Sequence, residues 1–322
     1  MNKMVFLLIS LIIVNWLNNM PKPTSNSKPS KLDKSTAYEV RPEQSVDLLK
    51  ALHILTSDGK INQDSRRKLK QINHLFNFIK PLLDDTLAQK NRICMVDHGA
   101  GKSYLGFLIY DLYFKPLGLT SENGVIYGIE TRDDLVSRSQ ELAHKAQFTG
   151  MKFLNLSVAD SIESKLVPES VDIVTALHAC NTATDDAIAF ALAKKATHVV
   201  LVPCCQAEVA SILRTHKAAQ LSNPLSEIWR HPIHTREFGS HVTNVLRCLQ
   251  LQAHGYDVSV TELVGWEHSM KNELIIASRK YRADGTIQYN LAAVARLQEL
   301  LTTLGLTSLS ARFFTPSLSA GV

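Results

Sequence analysis

The stretch CMVDHGAGKSYLG, residues 94–106, decides how the rest of the chain is read. Gly101-Lys102-Ser103 is the triplet that ends a phosphate loop, G-x-x-x-x-G-K-[ST]. Counting back from Gly101, such a loop needs its first glycine at position 96, where Val96 stands inside an apolar run. The turn is therefore too short to wrap a triphosphate. The dinucleotide pattern G-x-G-x-x-G fails as well, because it needs glycine at 104 and Tyr104 is there. What is left is an apolar strand, then Asp97 and two glycines in D-x-G-x-G, then a helical run. Glycines at such a point let the backbone pass close to a ligand at the carboxyl end of a strand.

Outward from this turn the chain alternates short apolar runs with helical stretches. Strands are predicted at 93–97, 124–130, 151–156, 171–179 and 197–205, with helices over 101–114, 132–147 and 183–196 between them. That rhythm predicts a parallel sheet covered by helices on both faces. The runs 256–265 and 272–280 are joined only by WEHSMK, too short for a parallel crossover, so they should pair antiparallel. The expected fold is α/β and Rossmann-like: a doubly wound, seven-stranded, mostly parallel sheet with a final antiparallel strand. A helical N-terminal annex precedes it. In the annex, 45–55 carries Val46, Leu49, Leu52 and Leu55 on one face, and 64–79 carries Leu69, Ile72, Leu75, Phe76 and Ile79. Asp64 or Ser65 is expected to cap the second of these helices, and Pro81 to end or kink it. The boundaries read as 1–36 leader and linker, 37–90 annex, 91–283 main domain, and 284–322 C-terminal helix and tail, the helix over 291–306.

The D-x-G-x-G turn of Asp97, Gly99 and Gly101 resembles the cofactor turn of class I S-adenosylmethionine-dependent methyltransferases. Its setting agrees: the second strand ends in Glu130, an acid placed to accept hydrogen bonds from ribose hydroxyls. The third strand leads into SVADS, where Asp160 is placed for an adenine amino group and Ala159 for a backbone N–H. The cofactor expected from this resemblance is S-adenosyl-L-methionine.

LHACNTATD (177–185) and VPCCQAE (202–208) follow the fourth and fifth strands, whose ends are neighbours in such a sheet. His178, Cys180, Cys204 and Cys205 should therefore gather near the reacting centre as candidate catalytic residues. One reading is nucleophilic catalysis, a thiolate adding to a pyrimidine before methylation of its carbon 5. A zinc site is a second, disfavoured by adjacent cysteines and the lack of C-x-x-C, and no metal is expected. A third makes these residues the small walls of an acceptor pocket, with His178 or Asp185 orienting the acceptor. Plain packing is the fourth, since free cysteine behaves as a small hydrophobe. Asn181, Asp185, Arg236 and His268 are the candidate substrate-binding residues. Arg236 belongs to a basic stretch, 229–247, that also carries Arg230, His231, His234, His241 and Arg247.

LLKALHILTSDGKINQDSRRKLKQINHL, VDHGAGKSYLGFLIY, LHACNTATDDAI and VPCCQAEVA together resemble a methyltransferase-domain group that includes the glutathione S-transferase C-terminal domain-containing protein and bacterial relatives. The likeness runs over about residues 45–280 and is most specific in the His-Ala-Cys and Pro-Cys-Cys pair. It implies cofactor binding through Asp97, Gly99, Gly101 and Glu130, with RNA modification as the theme for the acceptor. Ser103 stands where the group often has glycine, and Asn181 where it often has glycine or aspartate.

Composition allows this without demanding it. The 322 residues carry 35 Lys and Arg against 30 Asp and Glu, a net charge of +5 that permits a nucleic-acid partner. Arg66, Arg67, Lys68 and Lys70 on the annex helix are either a solvated face or a ledge for phosphates. The five cysteines are odd in number and lack a disulfide spacing, and read as reduced. The apolar run 4–17 is short for a membrane span and lacks a good cleavage site. A cytoplasmic location is expected, with anchoring through that run as the alternative. The expected function is methylation of RNA (tRNA or rRNA), with no sign of DNA specificity. A protein or small-molecule acceptor is the alternative, and a non-catalytic cofactor-binding partner subunit another.

Overall fold

The computed structural model describes residues 39–177, 182–203, 207–215, 224–263, 273–282 and 284–314. The apolar run 4–17 and the linker after it lie outside these. Among the described residues no helix is long and apolar enough to cross a membrane.

Seven strands form one sheet: β1 (Ile93–His98), β2 (Gly124–Glu130), β3 (Met151–Asn155), β4 (Ile173–Leu177), β5 (His198–Val202), β6 (Tyr256–Glu262) and β7 (Glu273–Arg279). Their order is β3-β2-β1-β4-β5-β7-β6. β1 to β5 are mutually parallel. β7 runs antiparallel to both β5 and β6, with Leu201 opposite Ile275 and Val258 opposite Ala277. The central strands are apolar along their length because helices cover both faces, and every residue of β5 is buried. β6, at the edge, buries Tyr256 but exposes most of its remaining residues.

The helices are α1 (Val46–Ala51), α2 (Gln63–Lys90), α3 (Tyr104–Ile109), α4 (Asp133–Lys145), α5 (Val158–Glu163), α6 (Ala183–Ala193), α7 (Glu208–Thr215), α8 (Pro232–Ala253), α9 (Leu291–Thr303) and α10 (Ser310–Phe313). One core cluster joins the annex residues Leu49, Leu75 and Leu83 to Phe107, Ile126 and Phe153. The opposite face of the sheet packs Val96, Val174 and Leu201 against Phe190 and Leu251. Lys90, the last residue of α2, bonds Asp172 at 2.6 Å, and the other oxygen of Asp172 accepts the Cys94 N–H at 2.8 Å. The annex is thereby pinned to the amino ends of β1 and β4.

Local readings failed at several points. Pro81 does not end α2, which continues to Lys90 because its last turns bury Leu83 and Thr86 against the core. Its cap is Asn62, whose side chain accepts the Ser65 N–H at 2.8 Å, and neither Asp64 nor Ser65. The helix after the glycine turn opens at Tyr104, later than expected, and widens into a π-turn over Tyr110–Phe114. α8 was not legible as a helix: its buried face includes Thr235, Gly239, Thr243, Asn244, Arg247 and Gln250, so hydropathy hides a regular period. Cys94 and Cys248 are free thiols, and burial pushes both up to about 12, so neither is a ready nucleophile.

Candidate cofactor and acceptor site

Asp97 and His98 end β1, and the chain then turns through Gly99 at φ 62° and Gly101 at φ 55°. Both angles belong to the left-handed region that favours glycine. A Cβ at Gly99 would meet nothing within 4 Å, and one at Gly101 only the Gly99 carbonyl at 3.9 Å. The turn therefore presents bare backbone to open space. Ser103 also adopts φ 50°, and its N–H donates to the Ala100 carbonyl at 2.6 Å, closing the loop.

Glu130 faces the same turn from the end of β2. One carboxylate oxygen accepts the Gly101 N–H at 2.9 Å and the other the Arg132 N–H at 3.0 Å. The bond from Gly101 gives the acid a role that the sequence did not suggest, because it holds the glycine loop in place. Asp97 is buried and accepts a 2.7 Å hydrogen bond from Thr175 of β4. Burial raises its carboxyl to about 7, against the pull of the Thr175 hydroxyl. Such a carboxylate is the group that a cationic ligand stabilises most. Ala159 and Asp160 lie exposed in the first turn of α5. The Ser157 hydroxyl caps that turn by accepting the Asp160 N–H at 3.0 Å, and it donates to the Asp160 carboxylate at 2.6 Å.

The acceptor-side candidates fare differently. His178, Cys180, Asn181, Cys204, Cys205 and His268 lie outside the described residues. Asp185 is buried in α6, where the Arg247 Nε donates to it at 2.6 Å. Arg312 of α10 stands 3.8 Å from its other oxygen and also pairs with Glu208 of α7. Arg247 in turn bonds Asn244, which bonds Glu273 at the start of β7. One oxygen of Asp185 is thus engaged in an internal network, while the other is buried with no hydrogen-bond partner among the described residues. Arg236 is exposed and paired with its neighbour Glu237 at 3.0 Å. The basic stretch 229–247 does not form one patch: Arg247 is inside, Arg230 pairs with Glu227, and His231 meets His234 ring to ring.

His98 was not singled out in the sequence. It is fully buried beside the glycine turn, packs edge-on to Phe190 at 4.4 Å, and neither ring nitrogen has a hydrogen-bond partner among the described residues. Burial lowers it to about 3, so it stays neutral. Among the described residues no group of three or more His, Cys, Asp or Glu is arranged to hold a metal ion.

Comparison with known proteins follows the same lines. The chain is similar in fold to magnesium protoporphyrin IX methyltransferase from Synechocystis PCC 6803, solved with SAM (12% identity, TM-score 0.39, covering 79% of this chain and 100% of that one). It is similar to an rRNA methylase from Streptococcus thermophilus (8%, 0.34, 58% and 86%) and to the fibrillarin pre-rRNA processing protein of Methanococcus jannaschii (11%, 0.35, 58% and 66%). Likenesses this distant carry no statement about substrate. No curated protein matches by sequence. Residues 67–212, from α2 into α7, match the family model described as a methyltransferase domain. That match, over a little under half of the chain, falls on the β3-β2-β1-β4-β5-β7-β6 sheet and identifies this stretch as a methyltransferase domain.

Proposed function

We propose that the domain methylates RNA, a tRNA or an rRNA. The observation that carries this reading is the row of exposed cations on α2, Arg66, Arg67, Lys68 and Lys70, on a chain with net charge +5. Arg66 pairs with Glu39 at 2.6 Å, and Arg67 lies 3.9 Å from Asp64. At such exposure those pairs are weak and exchangeable for phosphate.

The residues present fit the cofactor. Gly99 and Gly101 offer bare backbone, Glu130 keeps lone pairs for the ribose hydroxyls, and Asp160 with the Ala159 N–H would take the adenine. Asp97 supplies negative charge beneath the turn. The chemistry that S-adenosylmethionine supplies when bound is a methyl group on a positively charged sulfur, open to in-line displacement by the acceptor. The protein's own task is to hold acceptor and donor in attack geometry. Cys204 or Cys205 would act as nucleophile only if the acceptor is a pyrimidine carbon, in which case Cys204→Ala or Cys205→Ala abolishes turnover with cofactor affinity intact.

Transfer of a radiolabelled methyl group from S-adenosylmethionine to total RNA and to a protein extract tests the substrate class. Label in the tRNA or rRNA fraction is the expected result. Incorporation into protein alone would overturn the RNA reading and favour a protein acceptor.

A further inference from the structure

A cavity of about 260 Å³ lies between the end of α1, the glycine turn and α4. Its apolar walls include Leu52 and Leu135, and its cations are Lys102, Arg138 and Lys145, joined by His53. The only acid in the lining is Glu141, which stands 3.9 Å from Lys145. Lys102 and Arg138 have no ion-pair partner among the described residues, and the nitrogen-bearing side chains converge from three places: the end of α1, the glycine turn and α4. His53 is held at φ 56°, a left-handed conformation uncommon outside glycine, by its N–H donating to the Lys50 carbonyl at 2.9 Å. Ser139, a buried hydroxyl of α4, also lines the cavity.

Apolar walls beneath converging cations suit a ligand with a flat or apolar body and an anionic head. The volume is below the roughly 300–1,000 Å³ of ordinary small-molecule sites, so one compact group is accommodated and no longer segment. The cavity shares only Lys102 with the glycine turn, and none of Asp97, Glu130 or Asp160 lines it.

We infer that this cavity binds one nucleotide of the RNA acceptor, its phosphate on Lys102, Arg138 and Lys145, away from the nucleotide that receives the methyl group. The inference rests on the RNA reading above. It gives the glycine turn two roles: its backbone faces the cofactor while the side chain of Lys102 faces the RNA. A contact of this kind selects for a chain of nucleotides over a free nucleoside and fixes the register in which the acceptor is presented.

The test uses the full chain, with fluorescence anisotropy of a labelled single-stranded RNA titrated over a range of salt. Arg138→Glu/Lys145→Glu and the milder Arg138→Gln/Lys145→Gln are compared with wild type, and melting curves check that each is folded. Arg138 and Lys145 are exposed on α4 and have no part in the cofactor turn. RNA affinity should fall about tenfold in the charge-reversed variant, and the slope of log affinity against log salt should shrink by about 0.7 for each phosphate that is no longer neutralised. S-adenosylmethionine affinity, measured by calorimetry, should not change. If wild type binds RNA and both variants keep its affinity and salt slope, the cavity inference is overturned while the RNA reading stands. If wild type binds no RNA, both fall. If only adenosine monophosphate binding responds to the variants, the cavity is a site for a free nucleotide, which also overturns the inference.

Discussion

Asp97 and His98 are consecutive, both buried, and titrate in opposite senses. Burial raises Asp97 from 3.8 to about 7, so between those values the folded chain holds a proton that the unfolded chain has released. Stability from this residue is therefore lost as pH rises from about 4 to 7. Burial lowers His98 from 6.5 to about 3, so in that window the unfolded chain binds the extra proton, and stability falls as pH drops below 6.5. The two slopes oppose each other between about pH 4 and 6.5. Asp97→Asn removes one of them, and urea denaturation across this range should show the variant gaining stability with rising pH more steeply than wild type. The same variant should bind S-adenosylmethionine about tenfold or more weakly by calorimetry, as expected when a charge-assisted interaction is removed. In wild type, affinity should rise as pH passes through 7 and Asp97 ionises.

At the scale of elements, two helix substitutions to alanine should act with opposite signs. Gly239 lies in α8 where that helix crosses α7, and a Cβ there would come within 2.7 Å of the Ala210 nitrogen. Backbone cannot yield as a side-chain tip does, so Gly239→Ala should destabilise by about 1–3 kcal/mol despite its better helix propensity. The shift would fall on α7, which begins just after Cys204 and Cys205. Pro81 is exposed in the middle of α2 and withholds a helical hydrogen bond. Pro81→Ala should stabilise by about 1–3 kcal/mol, read from the same urea transitions. Local propensity favours alanine at both places, and only at Gly239 does packing reverse the sign. The proline looked like a terminus but is carried through by the burial of Leu83 and Thr86 beyond it, and the glycine sat in a stretch with no visible helix.

For the whole molecule, the chain Glu273–Asn244–Arg247–Asp185–Arg312–Glu208 links β7, α8, α6, α10 and α7. Glu273 lies at the end of β7 that adjoins the carboxyl end of β5, so the network runs along that end of the sheet. Arg247 is fully buried, and removing it would leave the Asp185 charge without its nearest partner. Arg247→Met should cost about 3–5 kcal/mol in urea denaturation, and adding Asp185→Leu should recover part of that loss. A cost below about 1 kcal/mol would show that the pair contributes little to holding these elements together.

Sequence by itself determined the β-α alternation, the antiparallel last pair and the glycine turn at Asp97. Each of these is written locally, in a period of two or 3.6 residues or in a backbone angle that glycine permits. Glu130 was also legible as an acid at a strand end, but its bond to the Gly101 N–H, 29 residues away, was not. Asp185 read as a substrate-binding candidate and Arg247 as one member of a basic stretch far along the chain. Only the tertiary structure decided that they meet across 62 residues of chain, as a buried pair. It likewise decided that Lys102, Arg138 and Lys145 surround one cavity. Side chains far apart in sequence leave no mark of their pairing in local periodicity, since what brings them together is the burial of the apolar faces around them.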